Sequence, residues 1–600
     1  MYRGTWLLVG MPLLIAAFTV FHPRPLPAPT LPPDFDGATA TLTAREFASN
    51  NPDRVPGTPG DRSAANWVAQ RLQQNGLDVG RERFHAKIPG LGDVELENVL
   101  ATRQGRSNQV IVVIAHRDNT GASPGANDNG SGTAALLELA RSYATTQAPP
   151  SPPQPNQTIL FLSSDAGAFG GIGAEHFITH YRFRDRLVAV IDLDSIAGNG
   201  RPHLVFSGDT PRFASPVLVR TAAARLGQTG AAPTWPGALS QVLDLAFPLS
   251  LYEQAPFVAN GVAAVALTSG GDRPPPAFGD TPDGLNGAQL TRIGRSSQAL
   301  LQSLDDGVEQ AEGTSSYVYL GSRAVRGWAI VLILFTAMLP ALAVIVDLFA
   351  RLRRRHVPLA PALRSYRTRL VFWLLVALLF ELFALLGIWT TGAARPLSPE
   401  LSPGTEWPAL ALIVYGGLVA LGWLFSRDRL IPRRPVGDHE LLSGQIAALL
   451  VLAVLSLVVV AMNPFAVIFV LPSLHAWIWL PQVRNKSAPI QLVALLAGFL
   501  GPLLLVGSIA TRLGLGLDAP WYLAQLAAVG YVKLPTLLVT GAWLAVAAQL
   551  AAISARRYAP YPSASERPRL GPARRLLRKA VVSSRTRKRP AEEQQRAAGS

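Results

Sequence analysis

The 600-residue sequence contains no cysteine, which excludes disulfide bonds and thiolate metal sites. Charged residues make up only 16% of the chain, whereas roughly 25% is typical of soluble proteins. The mean hydropathy is positive. This shortage of charge and excess of apolar residues predict membrane-spanning segments, and the length predicts more than one structural region.

The formal net charge of +15 is concentrated in short basic clusters beside apolar runs and in the segment 556–600. A basic tail of this kind is typical either of nucleic-acid binding or of a cytoplasmic segment close to lipid. Because the tail directly follows an apolar run, we expect a cytoplasmic, lipid-proximal tail at 556–600 and no nucleic-acid partner.

An apolar run at residues 5–21 reaches the lower length limit for a membrane span. A cleaved signal peptide is the alternative, but no small-x-small cleavage site follows the run. We therefore predict an uncleaved membrane anchor at residues 1–22. The proline-rich stretch 23–40 after it is typical of an extended spacer.

Strand and helix patterns alternate between residues 41 and 310. The short apolar runs NQVIVVIAH, QTILFLSS, LVAVIDLD and VAAVALTS are rich in β-branched residues and predict buried strands. Helical patterns such as SGTAALLELARSYA lie between them. This alternation predicts an α/β domain with a mixed, mostly parallel sheet sandwiched by helices.

A linker at 311–326 and an all-α membrane region at 327–555 follow, with about seven apolar runs that are long enough, or nearly so, to cross a bilayer. Only Asn463 and Pro464 separate two of these runs, so a kinked or re-entrant pair is an alternative there. Together with the N-terminal anchor, the runs predict an integral membrane protein with eight spans, in contact with membrane lipid.

The loops of the membrane region alternate in charge. RLRRRH, SRDRLIPRR and RNK are basic, whereas ARPLSPELSPGTEWP and TRLGLGLDAP carry one arginine each. The positive-inside rule then places the α/β domain outside the cytoplasm and both termini inside. Because a cysteine-free domain outside the cytoplasm is more usual in bacteria, we expect a bacterial plasma membrane.

Three candidate metal ligands lie at strand ends and in a loop of the α/β domain. His116 ends one predicted strand, Asp194 ends another, and Asp128 lies in a glycine- and asparagine-rich loop. One histidine and two carboxylates can form a three-ligand zinc site, and Asp118 is well placed to orient the imidazole of His116. Taken alone, His-x-Asp is equally typical of strand-end turns, so both interpretations stay open at this point.

Longer motifs resemble the M28 family of zinc aminopeptidases over about residues 43–305. AHRD…GANDNGSGTAALLELAR is similar to the first metal motif of that family, and GDTPDGLN resembles one of its closing segments. An M28 domain followed by several spans is also similar to the membrane-anchored endoplasmic-reticulum metallopeptidases of the family. The resemblance implies a zinc-exopeptidase-like fold.

The resemblance also implies a site of two zinc ions, of which half is present. By motif match, His116 is the first histidine, Asp128 the bridging aspartate and Asp194 the second aspartate. In the turn DAGAFGGIG, however, Gly167 takes the position of the general base and Ala168 that of a glutamate ligand. No histidine stands between residues 204 and 355, where the last ligand is expected. The resemblance thus implies one zinc ion or none, and leaves the catalytic residue unknown.

These observations favour a non-hydrolytic pseudo-peptidase that binds a peptide or protein ligand on the extracytoplasmic face. An active zinc aminopeptidase with a rearranged site is the main alternative, and a function carried by the membrane half is a third. Few charged residues lie within the apolar runs, which argues against transport. For the rearranged site, the candidate replacement groups are Asp165, Glu175, His176, Glu253 and Asp272, with His180 one helical turn from His176.

Overall fold

The computed structural model describes residues 7–144, 154–389, 391–396, 398–399, 408–431, 436–483 and 486–555. The predicted basic tail 556–600 lies outside these residues. The described strands are β1 Val20–Phe21, β2 Asp78–Ile88, β3 Gly92–Arg103, β4 Val110–His116, β5 Thr158–Ser164, β6 Leu187–Asp194, β7 His203–Val205, β8 Phe213–Ala214, β9 Ala263–Thr268, β10 Thr314–Ser315, β11 Tyr317–Leu320 and β12 Arg323–Arg326.

A seven-stranded mixed sheet forms the centre of the α/β domain, in the order β2–β3–β5–β4–β6–β9–β7. The four strands β5, β4, β6 and β9 are parallel to one another. On one side β3 pairs antiparallel with β5 and with β2, and on the other β7 pairs antiparallel with β9. The predicted mixed sheet is confirmed, with its parallel part in the middle.

Residues of the central strands are buried along their whole length. Such near-continuous apolar strands are typical of parallel sheets that helices cover on both faces. The register pairs His116 with Ser164 and Asp194 with Thr268. Because parallel strands end at the same edge of a sheet, the fold brings the side chains at these four positions to one edge.

Helices cover the sheet and confirm the α/β fold class. The helix Gly132–Ser142, which follows the loop of Asp128, is buried on nearly every side. The helices of the α/β domain are Gly37–Asn50, Pro59–Gln74, Gly132–Ser142, Ile172–His180, Pro216–Gln228, Ala238–Ala246, Gln254–Ala259 and Gly287–Gly307.

The first of these helices begins inside the predicted spacer 23–40. The Asp36 carboxylate accepts hydrogen bonds from the backbone N–H groups of Ala38 and Thr39, and such an N-cap stabilises a helix start. The extended spacer therefore ends at Asp36, because a cap residue follows the prolines.

Six helical segments in the described residues are long and apolar enough to cross a membrane, which supports a membrane protein. A further pair, Ala488–Ala497 and Leu500–Arg512, meets at a bend of 59° and raises the number to seven if the pair is one span. The six are Gly327–Arg354, Ala360–Leu385, Ala409–Leu430, Asp438–Met462, Pro464–Val483 and Leu534–Ser554. The helix Ala519–Ala528 lies between the bent pair and the last span.

The segment after Asn463 is not one straight helix. A 3₁₀ turn, Pro464–Phe469, leads into the short helices Leu471–Trp477 and Leu480–Val483. Each of the three begins at or beside a proline, which cannot donate the helical hydrogen bond. Asp438–Met462 and Pro464–Val483 nevertheless count as two separate candidate spans, as the sequence predicted.

The predicted linker 311–326 contains a β-hairpin. Strands β11 and β12 pair antiparallel, and β1 from the N-terminal segment adds to β12. The helix Leu7–Phe18, in the predicted anchor, lies against the start of the first long span through Ala16, Val325 and Ala329. The N-terminal segment is thus held beside that span.

Candidate metal centre

The three predicted metal ligands lie together at the carboxyl edge of the sheet. His116 Nε2 lies 3.3 Å from Asp128 Oδ1 and 3.4 Å from Asp194 Oδ2. The ligand atoms are all within 4.8 Å of one another, and this is the one such group of His, Asp and Glu in the described residues. His116 and Asp194 are buried, and Asp128 is half-buried.

The electrostatics of this group fit a bound cation. Burial opposes protonation of His116, but the carboxylates of Asp118, Asp128 and Asp194 outweigh it and raise the pKa of His116 well above its usual range. Burial and the nearby Asp194 raise the pKa of Asp128 to about 6. Asp128 Oδ1 is buried and faces His116 Nε2 at 3.3 Å. Two carboxylates and an imidazole that converge in this way are a ligand set that suits zinc.

Asp118 lies beside the imidazole of His116. Its Oδ1 is 3.2 Å from His116 Nδ1, an arrangement that orients a ligating histidine. The same carboxylate accepts hydrogen bonds from the backbone N–H groups of Gly167, at 2.8 Å, and Ala168, at 3.1 Å. Asp118 therefore ties the imidazole to the turn in which the general base would stand.

Gly167 lies directly against the imidazole of His116. A Cβ atom added to Gly167 would lie 2.2 Å from His116 Cβ and 2.4 Å from its Cγ. Carbon atoms in contact normally stay ~3.5–4.0 Å apart. No side chain fits at residue 167 while His116 keeps its present position.

The buried Arg54 and the half-buried Asp280 hold the loop that carries Asp128. The Asp280 carboxylate accepts hydrogen bonds from the backbone N–H of Asn127 at 2.8 Å and of Asp128 at 2.7 Å. The Arg54 guanidinium donates to the carbonyls of Arg117 and Gly125, and its burial lowers the pKa of Arg54 to about 10. The motif GDTPDGLN, which contains Asp280, was visible in the sequence, but the positioning roles of Asp280 and Arg54 were not.

Asp165 belongs to a buried ion pair rather than to the metal group. Arg117 Nη2 lies 3.0 Å from Asp165 Oδ2 and 3.3 Å from Asp61 Oδ1. The Asp165 carboxylate also accepts a hydrogen bond from the backbone N–H of Glu97. Asp165 is thus engaged in structural contacts and is a poor candidate for a general base.

Glu253 is the candidate replacement base that the structure favours. Ser164 Oγ donates to Glu253 Oε2 at 2.8 Å, and Ser164 is the strand neighbour of His116. The second oxygen, Oε1, is buried with no hydrogen-bond partner in the described residues. Burial raises the pKa of Glu253 to about 7, although the charge of His116 and the Ser164 hydrogen bond oppose the shift.

The other candidate replacements have different surroundings. His176 stacks on Phe84 with ring centroids 3.8 Å apart and on His180 at 4.2 Å, so the pair is engaged in ring stacking. Asp272 Oδ1 lies 3.1 Å from His203 Nε2 and is within ion-pair distance of it. The Glu175 side chain is 40% exposed and lies 3.7 Å from a guanidinium nitrogen of the membrane region.

That guanidinium is Arg395, the single arginine of the loop ARPLSPELSPGTEWP. Arg395 is buried and its Nε donates to the carbonyl of Gly170 at 2.7 Å. It also forms an ion pair with Asp209, which accepts a hydrogen bond from Tyr531. A Cβ atom on Gly170 would lie 2.5 Å from the Pro396 carbonyl oxygen. The membrane region thus packs onto the turn that follows β5.

The apolar side of that turn has the same partner. Phe169 is buried in a cluster that includes Val529, Ala393 and Tyr531 of the membrane region. Phe169 occupies a position directly after Gly167 and Ala168. The membrane region therefore packs on the turn in which the resemblance implies two glutamates.

A second contact uses the single arginine of the loop TRLGLGLDAP. Arg512 forms an ion pair with Asp244 and lies 3.7 Å from Asp272. Arg273 of the α/β domain donates to the carbonyl of Leu513 at 2.7 Å. Both arginines that the sequence showed as isolated charges therefore lie in the contact between the two regions.

Comparison with known proteins identifies the α/β region. Residues 98–278 match the profile of peptidase family M28. The chain contains an M28 domain. Part of this region is 34% identical over 94 residues to leucine aminopeptidase 1 of Arthroderma gypseum, covering 14% of this chain and 25% of that protein. An aminopeptidase of Pseudomonas aeruginosa strain UCBPP-PA14 is 32% identical over 122 residues, covering 20% of this chain and 22% of its own length.

Solved structures similar to the M28 domain are zinc aminopeptidases and glutaminyl cyclases. The zinc aminopeptidase of Bacillus subtilis has 14% identity, covers 46% of this chain and 95% of its own, and has a TM-score of 0.36. The glutaminyl cyclase of Fimbriiglobus ruber has 18% identity, covers 47% and 99%, and has a TM-score of 0.38. The chain spans about a quarter of the length of the curated relatives that it matches.

Proposed function

We propose that this chain is a membrane-embedded pseudo-peptidase, whose M28 domain binds at most one zinc ion and a peptide or protein ligand without hydrolysing it. The observation that carries the proposal is the contact between Gly167 and His116. A general base contributes roughly two to four powers of ten in rate. No carboxylate fits at residue 167, because an added Cβ atom would overlap the imidazole.

His116, Asp128 and Asp194 would hold the zinc ion, with Asp118 orienting the imidazole. When bound, zinc supplies a Lewis acid that polarises a carbonyl oxygen of a ligand. The chain's own groups then hold the ligand set in place, since Asp280 fixes the backbone at Asp128 and Asp118 fixes the turn at Gly167. This set of residues supports binding of a ligand without proton transfer to it.

The contact with the membrane region supports the same proposal. The apolar side of the turn after β5 is covered by Ala393, Val529 and Tyr531 of the membrane region. Both loops that carry Arg395 and Arg512 contact the M28 domain, which supports their location on the same side of the membrane as that domain. We place this side outside the cytoplasm of a bacterial plasma membrane, with both termini inside.

A hydrolysis assay on the purified full-length protein tests the proposal. Aminoacyl-p-nitroanilides of several side chains are incubated with the protein in detergent, with zinc or cobalt added. We expect no release of p-nitroaniline above that of the Asp128→Ala variant. Release by the wild-type protein that disappears in Asp128→Ala would overturn the proposal.

The alternative, an active zinc aminopeptidase with a rearranged site, has one specific observation in its favour. The Glu253 carboxylate is buried near His116, has an unpaired oxygen and has a pKa of about 7. A general base needs a pKa near the working pH. If Glu253 takes this role, kcat/KM rises with pH through about 7 as the carboxyl group loses its proton. Glu253→Gln then abolishes the activity, whereas Glu175→Gln leaves it intact.

A further inference from the structure

A cavity of about 610 Å³ lies where the M28 domain meets the start of the membrane region. Its lining includes Phe21, Arg212, Arg326, Trp328, Pro464 and Phe465. The size is within the range of about 300–1,000 Å³ that small-ligand sites occupy.

The cavity lies where helices that could span a membrane begin and end. Gly327 begins the first long span, and Met462 ends the fourth just before Pro464. Phe21 follows the N-terminal helix and pairs with Ala324 beside that first span. Three apolar segments therefore end around the cavity on the side of the M28 domain. Aromatic side chains such as Trp328, which is 54% exposed, are typical of this interfacial zone.

The charges of the cavity have one sign. Among the described residues that line it, Arg212 and Arg326 carry positive charge and none is acidic. Arg212 Nη2 donates to the carbonyl of Thr314 at 2.9 Å, and the Arg326 guanidinium lies 5.2 Å from the ring centre of Phe21. Both contacts orient the guanidinium groups without neutralising them. A planar guanidinium fork suits phosphate oxygens.

We propose that this cavity binds one anionic phospholipid of the outer leaflet. The phosphate of the headgroup is recognised by Arg212 and Arg326, and the adjoining part of the acyl chains packs against Trp328 and Phe465. The combination of charge, apolar lining and interfacial depth favours a lipid over a soluble anion, because a soluble anion leaves the apolar wall without a partner. The site is independent of the metal centre and of any hydrolysis.

Native mass spectrometry of the full-length protein tests this site. The protein is titrated with phosphatidylglycerol and, separately, with phosphatidylcholine. We expect tighter binding of one phosphatidylglycerol by the wild-type protein. Each arginine near an anionic lipid is worth roughly five-fold in affinity. The double variant Arg212→Gln/Arg326→Gln is thus expected to weaken this binding roughly 30-fold and to leave phosphatidylcholine binding unchanged.

Arg323→Gln is the matched control, since Arg323 lies on the same hairpin, is exposed and does not line the cavity. This control is expected to bind phosphatidylglycerol like the wild type. Equal loss in Arg323→Gln, no loss in the double variant, equal binding of the two lipids or displacement by millimolar inorganic phosphate would each overturn the proposal.

A second measurement serves if the double variant fails to fold. Brominated phosphatidylglycerol quenches the fluorescence of nearby tryptophan, and the difference between wild type and Trp328→Phe isolates the signal of Trp328. We expect this signal to be quenched at the lipid ratio that gives one bound lipid. An unquenched Trp328 at that ratio would contradict the site.

Discussion

Substitution of Gly167 by alanine adds a single methyl group at the point on which the proposed loss of catalysis depends. The new Cβ atom would lie 2.2 Å from His116 Cβ and 2.4 Å from Cγ, more than ~1 Å inside the normal contact distance. The backbone of the turn has little freedom to withdraw, because the N–H of Gly167 donates to Asp118 and its carbonyl accepts from Gly170. His116 must therefore move.

The cost of such overpacking is ~1–3 kcal/mol. Zinc–nitrogen bonds are ~2.0–2.1 Å long and tolerate little displacement of the ligand. If the cost falls on the metal centre, zinc affinity drops roughly 5- to 150-fold. The same reasoning predicts that Gly167→Glu, which restores the carboxylate of the family pattern, removes metal binding instead of creating an enzyme.

Competition with a chromophoric zinc chelator measures the affinity of the full-length protein in detergent. Gly227→Ala is the matched control, because a Cβ atom there meets nothing within 4 Å. We expect wild-type affinity for Gly227→Ala and at least a five-fold loss for Gly167→Ala. Unchanged zinc affinity in Gly167→Ala, or aminopeptidase activity in Gly167→Glu, would refute the reasoning.

Three further predictions concern residues around the centre. Arg395→Gln removes one partner of a buried ion pair, a change that costs ~3–5 kcal/mol when the other charge stays buried; we expect a lower Tm and faster proteolysis of the M28 domain, with exposed Arg364→Gln as the control. Asp280→Asn takes a hydrogen bond from the loop of Asp128, so zinc affinity falls about ten-fold or more, whereas exposed Asp283→Asn leaves it unchanged. Buried Glu253 has a pKa raised to about 7, so its stabilising contribution is present below its ordinary pKa and is lost as pH rises through 7; Glu253→Gln is therefore expected to raise the Tm at pH 8 and to change it little at pH 5. Equal Tm values of the wild type and Glu253→Gln at pH 8 would contradict this expectation, because a buried ionised Glu253 lowers the stability of the wild type.

The central sheet was predictable because its strands carry a simple signal. The strand β4, Val110–His116, is an unbroken apolar run that ends in a polar residue, and β5 and β6 have the same form. Since parallel strands end at one edge, the proximity of His116 and Asp194 followed from the sequence. The long antiparallel hairpin β2–β3 did not, because its exposed and buried residues alternate imperfectly.

The contact between the two regions was out of reach for sequence patterns. Arg395 and Arg512 were visible only as lone charges in loops otherwise poor in arginine. Their partners Asp209 and Asp244 lie more than a hundred positions earlier in the chain, and no local periodicity links such residues. Likewise, the resemblance implies that Gly167 takes the position of a glutamate, but the closeness of His116, which leaves no room for a side chain there, required the fold.

Zinc stoichiometry tests the central claim most directly. The full-length protein is purified in detergent, equilibrated with zinc, freed of excess metal and analysed by inductively coupled plasma mass spectrometry alongside His116→Ala. We expect at most one zinc ion per wild-type chain and none in His116→Ala. Two zinc ions per chain would contradict it, because a second ion needs ligands that the turn at Gly167 and Ala168 does not supply.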